Sequence, residues 1–149
     1  MTRAVIVNGG DDRYAQTILV GHHSFQGDEP FDVGGRDVGP NPLELLLAAL
    51  GTCTNITVRM YADRKGWPLE GVQVRLAYST LPAGDCGLSN SEAQLADGIE
   101  EELIVVGDLS EAQRKRLAEI AARCPVHRTL TKPIQICTRL VPQNGRSLV

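Results

Sequence analysis

The sequence predicts a single α+β domain over residues 1-149, in which an antiparallel sheet wraps a long, buried central helix. Three observations point there. Several short segments alternate apolar and polar residues with the period of strands. One stretch carries a full set of helix-start signals and is apolar on every face. A second, shorter helix signal stands between the last two strand-like segments. No internal repeat, linker or low-complexity tract divides the chain.

Near the start, residues 4–8 and 14–20 alternate as strands, with Gly9-Gly10-Asp11-Asp12 as the turn between them. Residues 21–40 are polar and glycine-rich and predict a connector. Gly34-Gly35-Arg36-Asp37-Val38-Gly39 lacks the Lys-Ser/Thr pair that a phosphate-binding loop needs, so it reads as a turn.

The strongest element runs from Pro42 to about Lys65. Asn41 is a good N-cap, Pro42 fits the first helical position, and Glu44 can close a capping box with Asn41. Leu43 and the run 45–50 leave no polar stripe, and a helix apolar all round is buried all round. One chain of this length offers too little material to surround it, so packing against a second copy is expected. The second half turns amphipathic, with Arg59, Asp63, Arg64 and Lys65 for solvent, and Gly66-Trp67-Pro68 ends it.

Residues 70–79 alternate as a strand, 81–96 are polar and turn-rich, and 99–107 read as another strand. Ser110 and Gln113 form a capping box for a helix reaching about Arg123, where Pro125 discourages continuation. Residues 134–141 alternate again and are expected to close the domain as a strand.

The chain has 42% hydrophobic and 22% charged residues, the balance of a soluble globular protein. A formal charge of -3 argues against a broad electrostatic grip on nucleic acid. No segment resembles a secretory signal, and the apolar run 45–50 is too short to cross a bilayer, so a cytoplasmic address and no membrane partner are expected. Four cysteines in this length are not a disulfide framework. In a reducing compartment they serve as buried hydrophobes, metal ligands or redox groups.

Cys53 lies mid-helix. It reads either as a small residue that, with Gly51, lets another helix approach, or as a working thiolate that needs a cation or hydrogen-bond donors beside it. Cys124 stands in Arg123-Cys124-Pro125-Val126-His127-Arg128. If Pro125 starts a short helix, Cys124 becomes its N-cap, and backbone amides would stabilise its thiolate. A structural helix break is the other reading. On local chemistry alone Cys124 looks the more acidic. Cys86 reads as an incidental loop residue, Cys137 as a structural strand residue, and His22-His23 as a solvated pair. A zinc site from Cys53, Cys124 and His127 rests on one Cys-x-x-His spacing, a weak signal, and no cofactor or metal is expected.

Two stretches together resemble the OsmC/Ohr family. The first is Gly39-Pro40-Asn41-Pro42-Leu43-Glu44-Leu45-Leu46-Leu47-Ala48-Ala49-Leu50-Gly51-Thr52-Cys53, continuing through Met60-Tyr61-Ala62. The second is Arg123-Cys124-Pro125-Val126-His127-Arg128-Thr129-Leu130. The resemblance implies an intertwined homodimer with sites at the subunit interface, and reduction of organic hydroperoxides in oxidative-stress defence. It implies Cys53 as the peroxidatic thiol and Cys124 as the resolving one. Their disulfide would be recycled by an external dithiol, of the lipoyl or small-thiol type. It also implies an arginine fixed by a glutamate beside the thiolate. Glu44 is the glutamate candidate, although it stands one residue beyond the Ohr-type position, where Leu43 is found. From Glu44 to Cys53 is about 13 Å along a helix axis and about half a turn around it, so Glu44 would act through an arginine or across a dimer. Arg36 is the nearer arginine candidate and Arg13 the other. Two other readings remain open: a redox-sensing or ligand-binding module with little peroxidase activity, and a structural protein whose Cys53 only fills space.

Overall fold

In the computed structural model of the chain, residues 3–82 and 95–141 are described. They fall into two compact units, one reaching to Leu46 and resuming at Gln135, the other spanning Leu47–Ile134.

The first unit holds an antiparallel sheet in the order β1-β2-β3: β1 (Val5–Gly9), β2 (Gln16–Val20) and β3 (His23–Gly27). β1 and β2 stand where alternation predicted them. β3 lies in the stretch expected to be a connector. Four of its five residues are exposed, so no apolar face marks it in the sequence. It forms because Val20 pairs with His23 across a two-residue turn, and Gly21 takes the left-handed conformation (φ 60°) that such a turn needs. A single 3-10 turn, Phe31–Val33, follows and ends at Gly34 in the left-handed region (φ 100°). At Gly35 any side chain would collide with the carbonyl oxygen of Glu29, only 1.8 Å from where a Cβ would stand. The glycine pair thus serves a turn, as expected.

α1 (Pro42–Lys65) has the predicted bounds. The Asn41 side chain accepts the Glu44 amide at 2.9 Å, and the Glu44 carboxylate accepts the Asn41 amide at 2.8 Å, which closes the capping box. At the other end Gly66 (φ 66°) reverses the chain. The Gly66 amide then donates to Asp63 and the Trp67 amide to Ala62, so two terminal carbonyls are satisfied.

In the second unit β4 (Leu69–Pro82) and β5 (Leu95–Gly107) form a long antiparallel hairpin. β4 runs past both of its expected ends, while β5 starts earlier than expected and stops at Gly107 as expected. Cys86 lies outside the described residues. α1 is long and apolar enough, on those two counts alone, to cross a bilayer. Here its polar groups bind the hairpin: Asn55 donates to the Val72 carbonyl at 3.0 Å, and Arg59 donates to the carbonyls of Leu69 and Glu70. One turn earlier Gly51 leaves no room for a Cβ, which would lie 2.7 Å from Leu76 Cδ1. Within the chain, the close neighbour that Gly51 admits is the hairpin.

α2 (Glu111–Ala121) begins with the expected Ser110–Gln113 box. Its Leu117 and Ala121 join Val58, Ala62, Leu69 and Leu109 in the core. Within this one chain α1 buries a single stripe, Leu50, Thr54, Val58 and Ala62, at i+4 spacing. Ile56 and Met60 stay 54% and 58% exposed. Burial all round is thus absent from the single chain.

The C-terminal expectation fails. Residues 134–141 have no regular secondary structure and are exposed. Their alternation is that of a strand, but a strand needs a ladder partner, and among the described residues none pairs with them.

Candidate functional site

The candidate site is assembled by the end of α2, the start of the next helix and the middle of α1. After Ala121 the chain makes a tight stop, with the Arg123 amide donating to Ile120 and the Cys124 amide to Ala121. Pro125 forces the residue before it into extended backbone, and Cys124 adopts φ -62° and ψ 146°. Pro125 then opens α3 (Pro125–Leu130), so Cys124 is its N-cap as the sequence allowed.

The first turn of α3 presents an amide to each sulfur. The His127 amide donates to Cys124 Sγ at 3.3 Å, and the Val126 amide donates to Cys53 Sγ at 3.5 Å. From α1, the Thr54 hydroxyl donates to Cys124 Sγ at 3.6 Å. Cys124 and Thr54 are both 0% exposed, while Cys53 is half-buried at the edge of the cluster. The two thiols are free, and the consecutive amides of Val126 and His127 bind one sulfur each. Residues distant in the chain thus meet in one place.

Burial pushes the Cys53 thiol up. The Val126 amide draws it back down, the hydrogen bond and charge of Cys124 push it up again, and the Thr57 hydroxyl draws it down. The net direction is upward from the ordinary thiol value. None of these groups is a cation. What His127 brings to Cys124 is its backbone amide, and among the described residues no group of three or more His, Cys, Asp or Glu side chains could hold a metal ion. Cys137 is exposed, on the segment that is not a strand.

The other candidates belong to the first unit. Arg36 forms an exposed ion pair with Asp12. Arg13 has a left-handed backbone (φ 43°) and donates to the Gly34 carbonyl at 3.5 Å. Glu44 is engaged in the capping box. His22 and His23 stack at the β2–β3 turn, with ring centroids 4.0 Å apart. Sequence reasoning missed the two threonines, Thr54 and Thr57. Their signal is helical spacing: Thr57 follows Cys53 by one turn, and Thr54 adjoins it.

The α+β fold of antiparallel sheets and one long helix thus brings two free thiols, Cys53 and Cys124, to the first turn of α3. Comparison with known proteins then gives its family. A family model described as OsmC-like protein matches residues 34–139, and the chain belongs to that family. The fold is similar to an OsmC-like protein from Mycoplasma pneumoniae, at 20% identity and a TM-score of 0.68 over 87% of each chain. It is also similar to an organic hydroperoxide resistance protein OsmC from Legionella pneumophila, at 19% identity and a TM-score of 0.63 over 88% of this chain and 90% of that one. The organic hydroperoxide resistance protein OhrB of Bacillus subtilis matches at 18% identity and a TM-score of 0.58, over 88% and 91%. No curated protein sequence matches the chain.

Proposed function

We propose that the protein is a thiol-dependent reductase of organic hydroperoxides acting in oxidative-stress defence. The observation that carries this is that Cys53 and Cys124, both free, are bound by consecutive backbone amides of one helical turn, those of Val126 and His127, with one thiol half-buried and one fully buried. Cys53, the more accessible sulfur, attacks the terminal peroxide oxygen and becomes a sulfenic acid. Cys124 condenses with it to a disulfide, which halts over-oxidation, and an external dithiol of the lipoyl or small-thiol type restores the pair. The solved relatives named for organic hydroperoxide resistance support the reading.

The protein acts as a cytoplasmic homodimer in this account. Ile56 and Met60 of α1, exposed among the described residues, form the surface for the second copy. Arg36 and Glu44 are the activating pair by family resemblance. For that role Arg36 must leave Asp12, and Glu44 must give up its cap. The test is turnover of tert-butyl hydroperoxide by wild type and Cys53→Ser, with the disulfide read by mass after alkylation. Wild type consumes peroxide and forms an intramolecular Cys53–Cys124 bond, and Cys53→Ser does neither. Equal turnover in both proteins removes the proposal.

A second reading is a redox-sensing or ligand-binding module with little catalysis. It is favoured by the upward direction of Cys53 and by an Arg36 already engaged by Asp12. A slow, stoichiometric disulfide without turnover would decide for it.

A further inference from the structure

The stripe that α1 buries is apolar but for one residue, Thr54, which stands between Leu50 and Val58. Thr54 is 0% exposed, so water is no alternative partner for its hydroxyl. A hydroxyl buried without a hydrogen bond is costly, and valine has nearly the same shape without that cost. A helical threonine ordinarily turns its hydroxyl to its own helix, to the carbonyl four residues back. Thr129 and Thr131 do so at α3, each at 3.0 Å, to the carbonyls of Pro125 and His127. Thr54 reaches across to another element instead. Among the described residues its one acceptor is Cys124 Sγ, at 3.6 Å. The residue before it, Cys53, takes the Val126 amide, so two adjacent residues of α1 engage the start of α3.

That placement lets the hydroxyl tell two redox states apart. In the dithiol, Cys124 Sγ has lone pairs that Thr54 reaches. In a disulfide the sulfur turns to Cys53, while the backbone of α1 keeps the hydroxyl where it was. The bond to Thr54 therefore belongs to the dithiol, and whatever belongs to one state alone shifts the balance towards it.

We infer that Thr54 sets the reduction potential of the Cys53–Cys124 pair, its hydroxyl favouring the dithiol over the disulfide so that the oxidised protein is readily reduced again. Thr54 is a positioning residue, acting through Cys124. The inference rests on the Cys53–Cys124 disulfide of the proposed function, though not on a peroxide as its oxidant. The exchange with a small dithiol such as dithiothreitol balances. As the protein is oxidised, the S–H bonds of Cys53 and Cys124 break and one S–S bond forms between them. The S–S bond of the cyclic, oxidised dithiothreitol opens and takes up both protons and two electrons.

The experiment uses the full-length protein as wild type, Thr54→Val, Thr54→Ala, Thr54→Ser and, as a control for packing alone, Leu117→Ala. Each is equilibrated in dithiothreitol buffers of stepped ratio, and the Cys53–Cys124 disulfide is read by mass after alkylation. Thr54→Val and Thr54→Ala, which differ in volume but both lack the hydroxyl, shift the equilibrium about tenfold towards the disulfide. For this two-electron couple that is a potential about 30 mV lower. Thr54→Ser keeps the hydroxyl and titrates with wild type. Leu117→Ala does so too, because it removes only packing from the core around Val58. Hydroxyl-free variants at the wild-type potential or above it overturn the inference. So does a Thr54→Ser protein that follows them, a Leu117→Ala protein that shifts as they do, or the absence of a Cys53–Cys124 disulfide in every buffer. A parallel arm adds tert-butyl hydroperoxide to the reduced wild type. No oxidation there, beside the expected shifts in the buffers, removes the peroxide reading and leaves Thr54 its role.

Discussion

Asp28 lies just after β3, buried, and its two carboxylate oxygens accept the amides of Glu29, Arg36 and Val38 at 2.8, 3.0 and 3.3 Å. Burial pushes this carboxyl up, but the three amides and the Arg36 charge outweigh it, and the net direction is below the ordinary carboxylate value. A carboxyl whose folded pKa is depressed contributes stability above its unfolded pKa and loses it as pH falls through the folded one. Chemical denaturation of wild type and Asp28→Asn at stepped pH should therefore show wild type the more stable near neutrality. The gap should narrow as pH drops below about 4, and a gap that is constant with pH refutes the assignment. Nothing in the sequence marks Asp28, because its partners are backbone amides gathered by the turn around Gly34 and Gly35. Cys124 was legible for the opposite reason. The proline after it fixes its backbone and makes it a cap whatever the rest of the fold does.

Among the elements, α1 and α2 were readable almost to the residue because capping boxes and a reversing glycine punctuate them locally. β3 and the segment 134–141 were not, for complementary reasons. β3 is polar and exposed yet pairs with β2, while 134–141 alternates well yet has no partner among the described residues. Strand identity belongs to the pair rather than to the segment. Leu117 on α2 is fully buried against the α1 stripe that leads up to Thr54. Leu117→Ala should cost about 3 kcal/mol, read as a lower urea midpoint at unchanged slope. A loss within the error of the titration would mean that α2 does not carry the core.

For the whole molecule, length and composition suited a soluble protein, and the all-apolar first half of α1 pointed to a second copy. The single chain leaves Ile56 and Met60 open. Ile56→Glu should shift the mass in sedimentation velocity from dimer towards monomer. An unchanged dimer would place the contact elsewhere, and a wild-type monomer would remove it. The meeting of Cys53 and Cys124 could not be read from spacing, since long-range proximity is set by how α2 docks on α1. Only the family resemblance anticipated which two of the cysteines to watch. The roles of Arg36 and Glu44 stay with that resemblance, because the structure gives each an ordinary local partner.

The first turn of α3 holds both sulfurs by backbone amides, and Thr54 holds one of them from below. Were those sulfurs joined to each other, they would become poor acceptors, and two half-buried amides and the fully buried Thr54 hydroxyl would lose their partners. An oxidised molecule would then carry a tension that its reduced form lacks, concentrated in one short helix. Relief of it would favour any donor of electrons able to pry that turn open.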